Sequence, residues 1–377
     1  MNLRSLFKQT TRFFCSSKFP TPTPPIKFEA YLKSRREQAE KSLLIQIAGP
    51  DAVHEIESYL TTQFGPLDYF YSYLLPGKQG SVSGNVRNTD SFWLLTEFKN
   101  RQHYLAALED CRFAEGTFPY KSSSCWFSQP PGKSFNPKKP IKRKSKITDF
   151  GTLIGRSVDS IDFSGKSDLS SQIQLLEHSL KISEPGIRVR FLISAQLEQA
   201  LSGLFPSGCV LPFGSTVSGI GRQSGDLDLV LLANDKEIFP HGPKNEKKSS
   251  DSGRLWFQSK MSTSQAGSAR FQVQRLMETV ADIIQLFVPG SSQVQRILQA
   301  RVPILRFWSD YTDLQCDLSM TNATGVHMSE ILYLMAQLDS RFATLCFAIR
   351  IWVSFNMHCI CGPTKRVRFI FKAIYFF

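Results

Sequence analysis

The sequence has no uninterrupted run of 18 apolar residues; its longest approach, residues 342 to 355, covers 14 positions and contains Arg350. That run reads as a buried helix, and no membrane insertion is expected. A Cys-x-x-Cys pair is also missing. The eight cysteines are scattered over 377 residues, and Cys209, Cys316 and Cys346 lie in apolar surroundings. They read as buried thiols in a reducing compartment rather than a disulfide scaffold. His358, Cys359 and Cys361 have no second ligand pair beside them, which sets zinc aside. Acids are absent from two whole segments. Residues 1 to 28 carry five cations and residues 128 to 147 carry seven, so these two stretches hold 12 of the net +13 charges. The remainder is nearly neutral, and net charge alone is no argument for nucleic-acid binding.

What is present is ample apolar material. With 42% hydrophobic and 20% charged residues the chain is neither wholly disordered nor a single small module, and its length suits two or three domains. The first segment, MNLRSLFKQTTRFFCSSKFPTPTPP, is basic and rich in Ser and Thr. Leu3, Leu6, Phe7, Phe13 and Phe14 interleave with Arg and Lys as in an amphipathic helix. Residues 1 to 28 therefore read as a mitochondrial presequence with a Pro-rich spacer, and the mature protein is expected in the matrix.

Between residues 40 and 127 the periodicities alternate between two and 3.6. They predict strands over residues 43–48, 69–75, 92–98 and 123–127, with helices over 52–64 and 101–111. This βαββαβ order is that of the ferredoxin-like, RNA-recognition-like domains. The stretch SFWLLTEF falls where such a domain carries its base-stacking strand, but it lacks the basic residue, both glycines and the central aromatic. RNA stacking is thereby placed in doubt. Tyr69, Tyr71, Tyr73, Phe92 and Trp93 are expected instead to fill a core or a protein interface, a homodimer among the possibilities. Residues 128 to 147 then combine four prolines with the seven cations and read as a solvated linker.

The chemistry is concentrated further on. Helical patterns over 169–181 and 188–204 lead into CVLPFGSTVSGIGRQSGDLDLVLL. Residues two apart on a strand point the same way, so Asp226 and Asp228 project together while Leu227 and Leu229 face the other side. Two adjacent carboxylates repel one another unless cations sit between them, and an oxygen-only donor set selects Mg2+ or Mn2+. The segment VPILRFWSDYTDLQCDLSMTN reads as a hairpin that places Asp317 inside an apolar strand, where an acid needs a reason. Arg222 and Arg306 are possible phosphate-steering residues and are kept out of the catalytic set. Residues 234 to 272 are polar and read as a largely disordered insert.

The ordered set of Gly214-Ser215, a spacer, Asp226-x-Asp228 and a later strand Asp317 resembles the DNA polymerase beta-like nucleotidyltransferases, over roughly residues 40 to 360. The resemblance implies an α+β chain: a ferredoxin-like (RNA-recognition-like) domain (40–127), then a nucleotidyltransferase mixed sheet with flanking helices (165–335), then a partial helical segment (336–377). It implies template-independent addition of AMP from ATP to RNA 3′ ends. Two metal ions would be held by Asp226, Asp228 and Asp317, with Gly214, Ser215 and Asn322 at the nucleotide. Uridine addition, and a non-catalytic RNA-binding or dimerising protein, stay open as alternatives. The tail after residue 360 departs from the family pattern, with Gly362 and Pro363 in reversed order. Weak or no turnover is expected of the 377 residues on that account.

Overall fold

The computed structural model describes residues 26–47, 49–77, 90–110, 124–126, 151–165, 168–233, 269–320 and 323–361. The expected presequence up to residue 25, the basic linker, most of the insert, Asn322 and the tail from residue 362 lie outside the described residues. The architecture is mixed α+β, built on two sheets.

Helix α1 (Phe28–Ala39) is followed by β1 (Ser42–Ile47), α2 (Val53–Gln63), β2 (Leu67–Leu75), β3 (Ser91–Phe98), α3 (Arg101–Asp110) and β4 (Ser124–Trp126). The strands form one sheet in the order β2-β3-β1-β4, with β1 antiparallel to β3 and parallel to β4. Strict alternation splits its side chains. Leu43, Ile45, Ile47, Leu94 and Phe98, with the partly buried Phe92, pack on Ile56, Leu60, Tyr104 and Leu108 of the two helices. The opposite face carries Leu44, Tyr73, Leu75, Trp93 and Leu95.

That second face is not free for RNA or for another copy of the chain. It belongs to the same core as Val189, Leu192 and Leu197 of the following unit. Tyr73 is fully buried and its hydroxyl donates to the Tyr311 carbonyl at 2.8 Å, while the Trp93 and Tyr311 rings lie 4.6 Å apart. Arg188 pairs with the buried Glu97 and lays its guanidinium 3.9 Å from the Tyr69 ring centre. Of the two uses expected for these aromatics, Tyr73 and Trp93 fill a core within the chain with Tyr69 and Tyr71 packed against it, while Phe92 lies on the helix side of the sheet. Full burial of large aromatics contributes about 1.5–3 kcal/mol each relative to exposure, which favours this docked arrangement over an open sheet.

The second unit comprises α4 (Leu169–Leu180), α5 (Glu184–Leu201), β5 (Cys209–Pro212), β6 (Leu227–Leu232), α6 (Ala269–Phe287), β7 (Ser291–Ile297), β8 (Ile304–Ser309), β9 (Leu314–Met320), α7 (Ala323–Leu338) and α8 (Ser340–Cys361). Side-chain caps start the first two helices: Asp168 accepts from Ser171 N–H and Ser183 accepts from Gly186 N–H. The sheet runs β5-β6-β9-β8-β7, and only the β6/β9 pair is parallel. Leu227, Leu229, Leu231, Leu305, Phe307, Cys316 and Leu318 bury one face against α5 and α6. On the other, Val230 and Leu232 join Phe28, Leu32, Val326 and Tyr333, so α1 and α7 cover only the far end of β6. Helix α6 begins at Ala269, four residues inside the stretch read as a disordered insert.

Candidate active site

Alternation along β6 decides where the acids go. Leu227 and Leu229 are fully buried, whereas Asp228 is partly exposed on the opposite face and Asp226 stands at the strand mouth in contact with solvent. The same face further along carries Val230 and Leu232, which α1 and α7 cover. The acids therefore sit where that cover stops. Asp317 reaches them through the parallel pairing of β6 with β9, in which Asp228 lies directly opposite Asp317 and Leu227 opposite Cys316. Two neighbouring carboxylates and a third that is distant in sequence share one face of the sheet.

Their electrostatics follow from that crowding. Burial first, then the charges of Asp317 and Asp226, push the Asp228 carboxyl up to about 7, against the opposing pull of Arg350 and Arg306. Asp226 is shifted in the same direction by partial desolvation and by Asp317. Gln315, two residues before Asp317 and so on the same face, donates to Asp226 Oδ2 at 3.1 Å. Asp317 itself is engaged: Arg306, opposite it across the β8/β9 pair, donates from Nε to Oδ1 at 2.8 Å and from Nη2 to Oδ2 at 2.6 Å.

Among the described residues no three His, Cys, Asp or Glu side chains are gathered closely enough to hold a metal ion. The donor chemistry nonetheless fits a hard divalent cation. All the candidate ligands are carboxylate oxygens, two of them are held at raised affinity for a proton by burial first and then by the nearby Asp317 charge, and a cation of higher charge than a proton offsets both more strongly.

The glycine-serine corner lies beside the acids because Phe213 N–H donates to the Asp228 carbonyl at 3.0 Å. Residues Gly214–Thr216 form a single 3-10 turn. Three residues build no useful macrodipole. Gly214 has φ +66°, a conformation that costs an L side chain about 1–2 kcal/mol. Its N–H is not free for phosphate, since it donates to Ser329 Oγ of α7 at 2.7 Å. Ser215 is the one partly exposed residue of the turn; Gly214 and Thr216 are buried.

Beneath the loop lies Arg190, fully buried on α5. Its Nη2 donates to the carbonyls of Gln223 and Gly225 at 2.9 Å each, and so pins the turn that delivers Asp226. The Gln223 side chain ties the same turn to Leu153 and to Ser183, while Arg350 of α8 donates to the Ile220 carbonyl at 3.1 Å. Sequence reasoning passed over Gln315, Ser329, Arg190 and Gln223 as site-building residues. A cation inside the apolar run Val189–Leu192 was the available signal for Arg190, by the logic that singled out Asp317.

The chain is similar in sequence and in fold to known proteins. Residues 169–337, from the start of α4 almost to the end of α7, match the model of the family "Poly(A) RNA polymerase, mitochondrial-like, central palm domain". The mitochondrial poly(A) RNA polymerase of Drosophila melanogaster is 33% identical over 347 residues, covering 90% of this chain and 52% of that protein. That of Homo sapiens is 26% identical over 344 residues, covering 89% and 53%. The chain spans about half the length of the curated relatives it matches. In fold, it is similar to the crystal structure of mtPAP in complex with ATPγS, with a TM-score of 0.67 at 24% identity, over 91% of this chain and 65% of that one. Its relatives are nucleotidyltransferases, and the chain is similar over about nine-tenths of its length to the mitochondrial poly(A) RNA polymerases, with residues 169–337 matching the model of their central palm domain.

Proposed function

We propose that the catalytic unit of this chain is built for template-independent transfer of AMP from ATP to the 3′ end of RNA in the mitochondrial matrix, with the weak turnover expected above for the 377 residues. The observation that carries the reading is the β6/β9 register, which sets Asp317 against Asp228 with Asp226 on the same face and the Gly214 turn tied to Asp228 by a backbone hydrogen bond. Asp226, Asp228 and Asp317 are the residues that would hold two divalent ions, Mg2+ or Mn2+, with Asp317 on the ion at the RNA end. When bound, such ions lower the pKa of the attacking 3′ hydroxyl and neutralise charge on the triphosphate.

The chain's own residues supply position. The partly exposed Ser215 offers its hydroxyl to the outer phosphates, and Gly214 sets the turn that presents it. Gln315 holds Asp226 in line, and Arg190 fixes the loop behind it. Phosphoryl transfer asks little else of a protein, because positioning and charge neutralisation make up most of its catalysis.

Residues 40–127 are read as a ferredoxin-like, RNA-recognition-like domain whose base-stacking face has been turned to the palm. Residues 165–335 are read as the catalytic domain. The test is to incubate the chain with an RNA primer and Mg2+ and each labelled nucleoside triphosphate in turn. ATP is expected to extend the primer best, and Asp226→Ala and Asp228→Ala to abolish extension while RNA binding survives. Extension that persists in both variants overturns the site. Preferred incorporation of UTP overturns the adenylyl reading alone.

A further inference from the structure

We infer that Arg306 is a built-in counter-ion of Asp317 that competes with a divalent cation for the same carboxylate, so that cation binding and the release of Arg306 are one coupled event. The inference rests on the metal-ion reading given above. It starts from the order of charges across the sheet: Asp228 on β6 lies opposite Asp317 on β9, and Asp317 lies opposite Arg306 on β8. Adjacent strands are about 4.8 Å apart, so the middle carboxylate stands between an acid and a cation and is drawn toward the cation.

Both Asp317 oxygens accept from one guanidinium, at 2.8 and 2.6 Å. That bidentate fork is the strongest geometry a carboxylate and an arginine adopt, and it aims the Asp317 lone pairs at β8 instead of at Asp228.

The pair is also accessible. Arg306 and Asp317 keep 35% and 15% of their side-chain surface, so a hydrated ion reaches them without unfolding. Once displaced, Arg306 remains on an open sheet face, and its neighbour on β7 is the uncharged, exposed Gln295. A phosphodiester oxygen of the RNA strand is the natural new partner for a planar guanidinium there. By linkage, a phosphate that takes Arg306 away must then tighten cation binding, and the cation must tighten phosphate binding by the same factor.

The experiment is Mn2+ binding to the full chain without nucleotide, followed by electron paramagnetic resonance of the free ion. The proteins are wild type, Arg306→Gln, Arg306→Lys, Asp317→Asn, the Arg306→Gln/Asp317→Asn double variant and Asp228→Asn. Arg306→Gln is expected to bind Mn2+ about tenfold tighter. Arg306→Lys keeps the charge but not the fork, and is expected to fall between. In the Asp317→Asn background the Arg306→Gln gain disappears. Added oligoadenylate tightens Mn2+ binding to wild type and not to Arg306→Gln. Unchanged or weaker binding in Arg306→Gln overturns the inference, as does an Arg306→Lys variant indistinguishable from wild type; in either case loss of Mn2+ in Asp228→Asn leaves the metal reading standing. No Mn2+ binding to any of the proteins overturns both.

Discussion

Asp228→Asn should make the ion-free protein more stable at pH 8 while destroying its function. In the native chain the Asp228 carboxyl is pushed up to about 7 from an ordinary 3.8. For an acid with a raised folded pKa, the native state binds the proton more tightly than the unfolded chain. Stability is then fully present below pH 3.8, falls as pH rises through the interval up to about 7, and stays low above it. Three pH units at 1.36 kcal/mol each give about 4 kcal/mol. Water still reaches the partly buried carboxylate, which brings the expectation to about 2–4 kcal/mol. Asn removes the ionisable group with almost no change in volume. At pH 8 with EDTA the variant should melt about 4–10 °C above wild type, at pH 4.5 the gap should shrink to about a quarter of that, and adding Mg2+ at pH 8 should raise wild type but not the variant. The charged groups facing Asp228 are Asp226, Asp317, Arg306 and Arg350, so the comparison is made at fixed ionic strength by differential scanning fluorimetry. A variant equal to or less stable than wild type at pH 8 would show that Asp228 is not held ionised against its environment, and the argument for a cation there would fall.

Three other substitutions probe the supports of the site. Ser329→Ala removes the acceptor of the buried Gly214 N–H; a loss of about 1–3 kcal/mol with a raised KM for ATP is expected, measured by denaturant melts and primer extension. Arg190→Met leaves the Gln223 and Gly225 carbonyls without their donor and should lower kcat more than it alters RNA affinity, with about 3 kcal/mol or more lost in stability. Trp93→Ala opens a cavity between the two units, at a cost of about 3–5 kcal/mol, and should leave RNA affinity per folded molecule unchanged, because that face touches Tyr311 and not a base.

How far the sequence discloses this arrangement differs from element to element, for physical reasons. The apolar/acidic alternation of Asp226 to Leu229 exposes the start of β6 and the two acids there directly, since a strand buried on one face cannot place Asp at a core position. The aromatic strands β2 and β3 are equally plain. Strand β7 was not expected at all: SSQVQRI is an edge strand with mostly exposed or half-exposed side chains, and an edge needs little apolar signal. Helix α1 follows a basic, Pro-rich stretch and is itself highly charged, and only Phe28, Tyr31 and Leu32, three and four residues apart, betray the face that stacks on Tyr333. The hairpin strand was expected from Val302 and begins at Ile304, because Pro303 has no N–H to give a ladder.

The residues that finish the site are of another kind. Ser329 meets Gly214 across 115 positions and Gln315 meets Asp226 across 89, and neither partner has a local pattern that names the other. What could be read was the misfit: an acid on an apolar strand or a cation on an apolar helix face must be compensated by something distant. Asp317 was identified on that ground and Arg190 could have been. Arg306 is the instructive case, because an arginine on a half-exposed strand violates no rule by itself. It acquires meaning only from the register of β8 on β9, which sets it opposite the single acid of that strand. Pairing register converts two conspicuous acids on β6 and β9 and an unremarkable arginine on β8 into a row of acid, acid and cation, and the competition within that row is what a divalent ion must win.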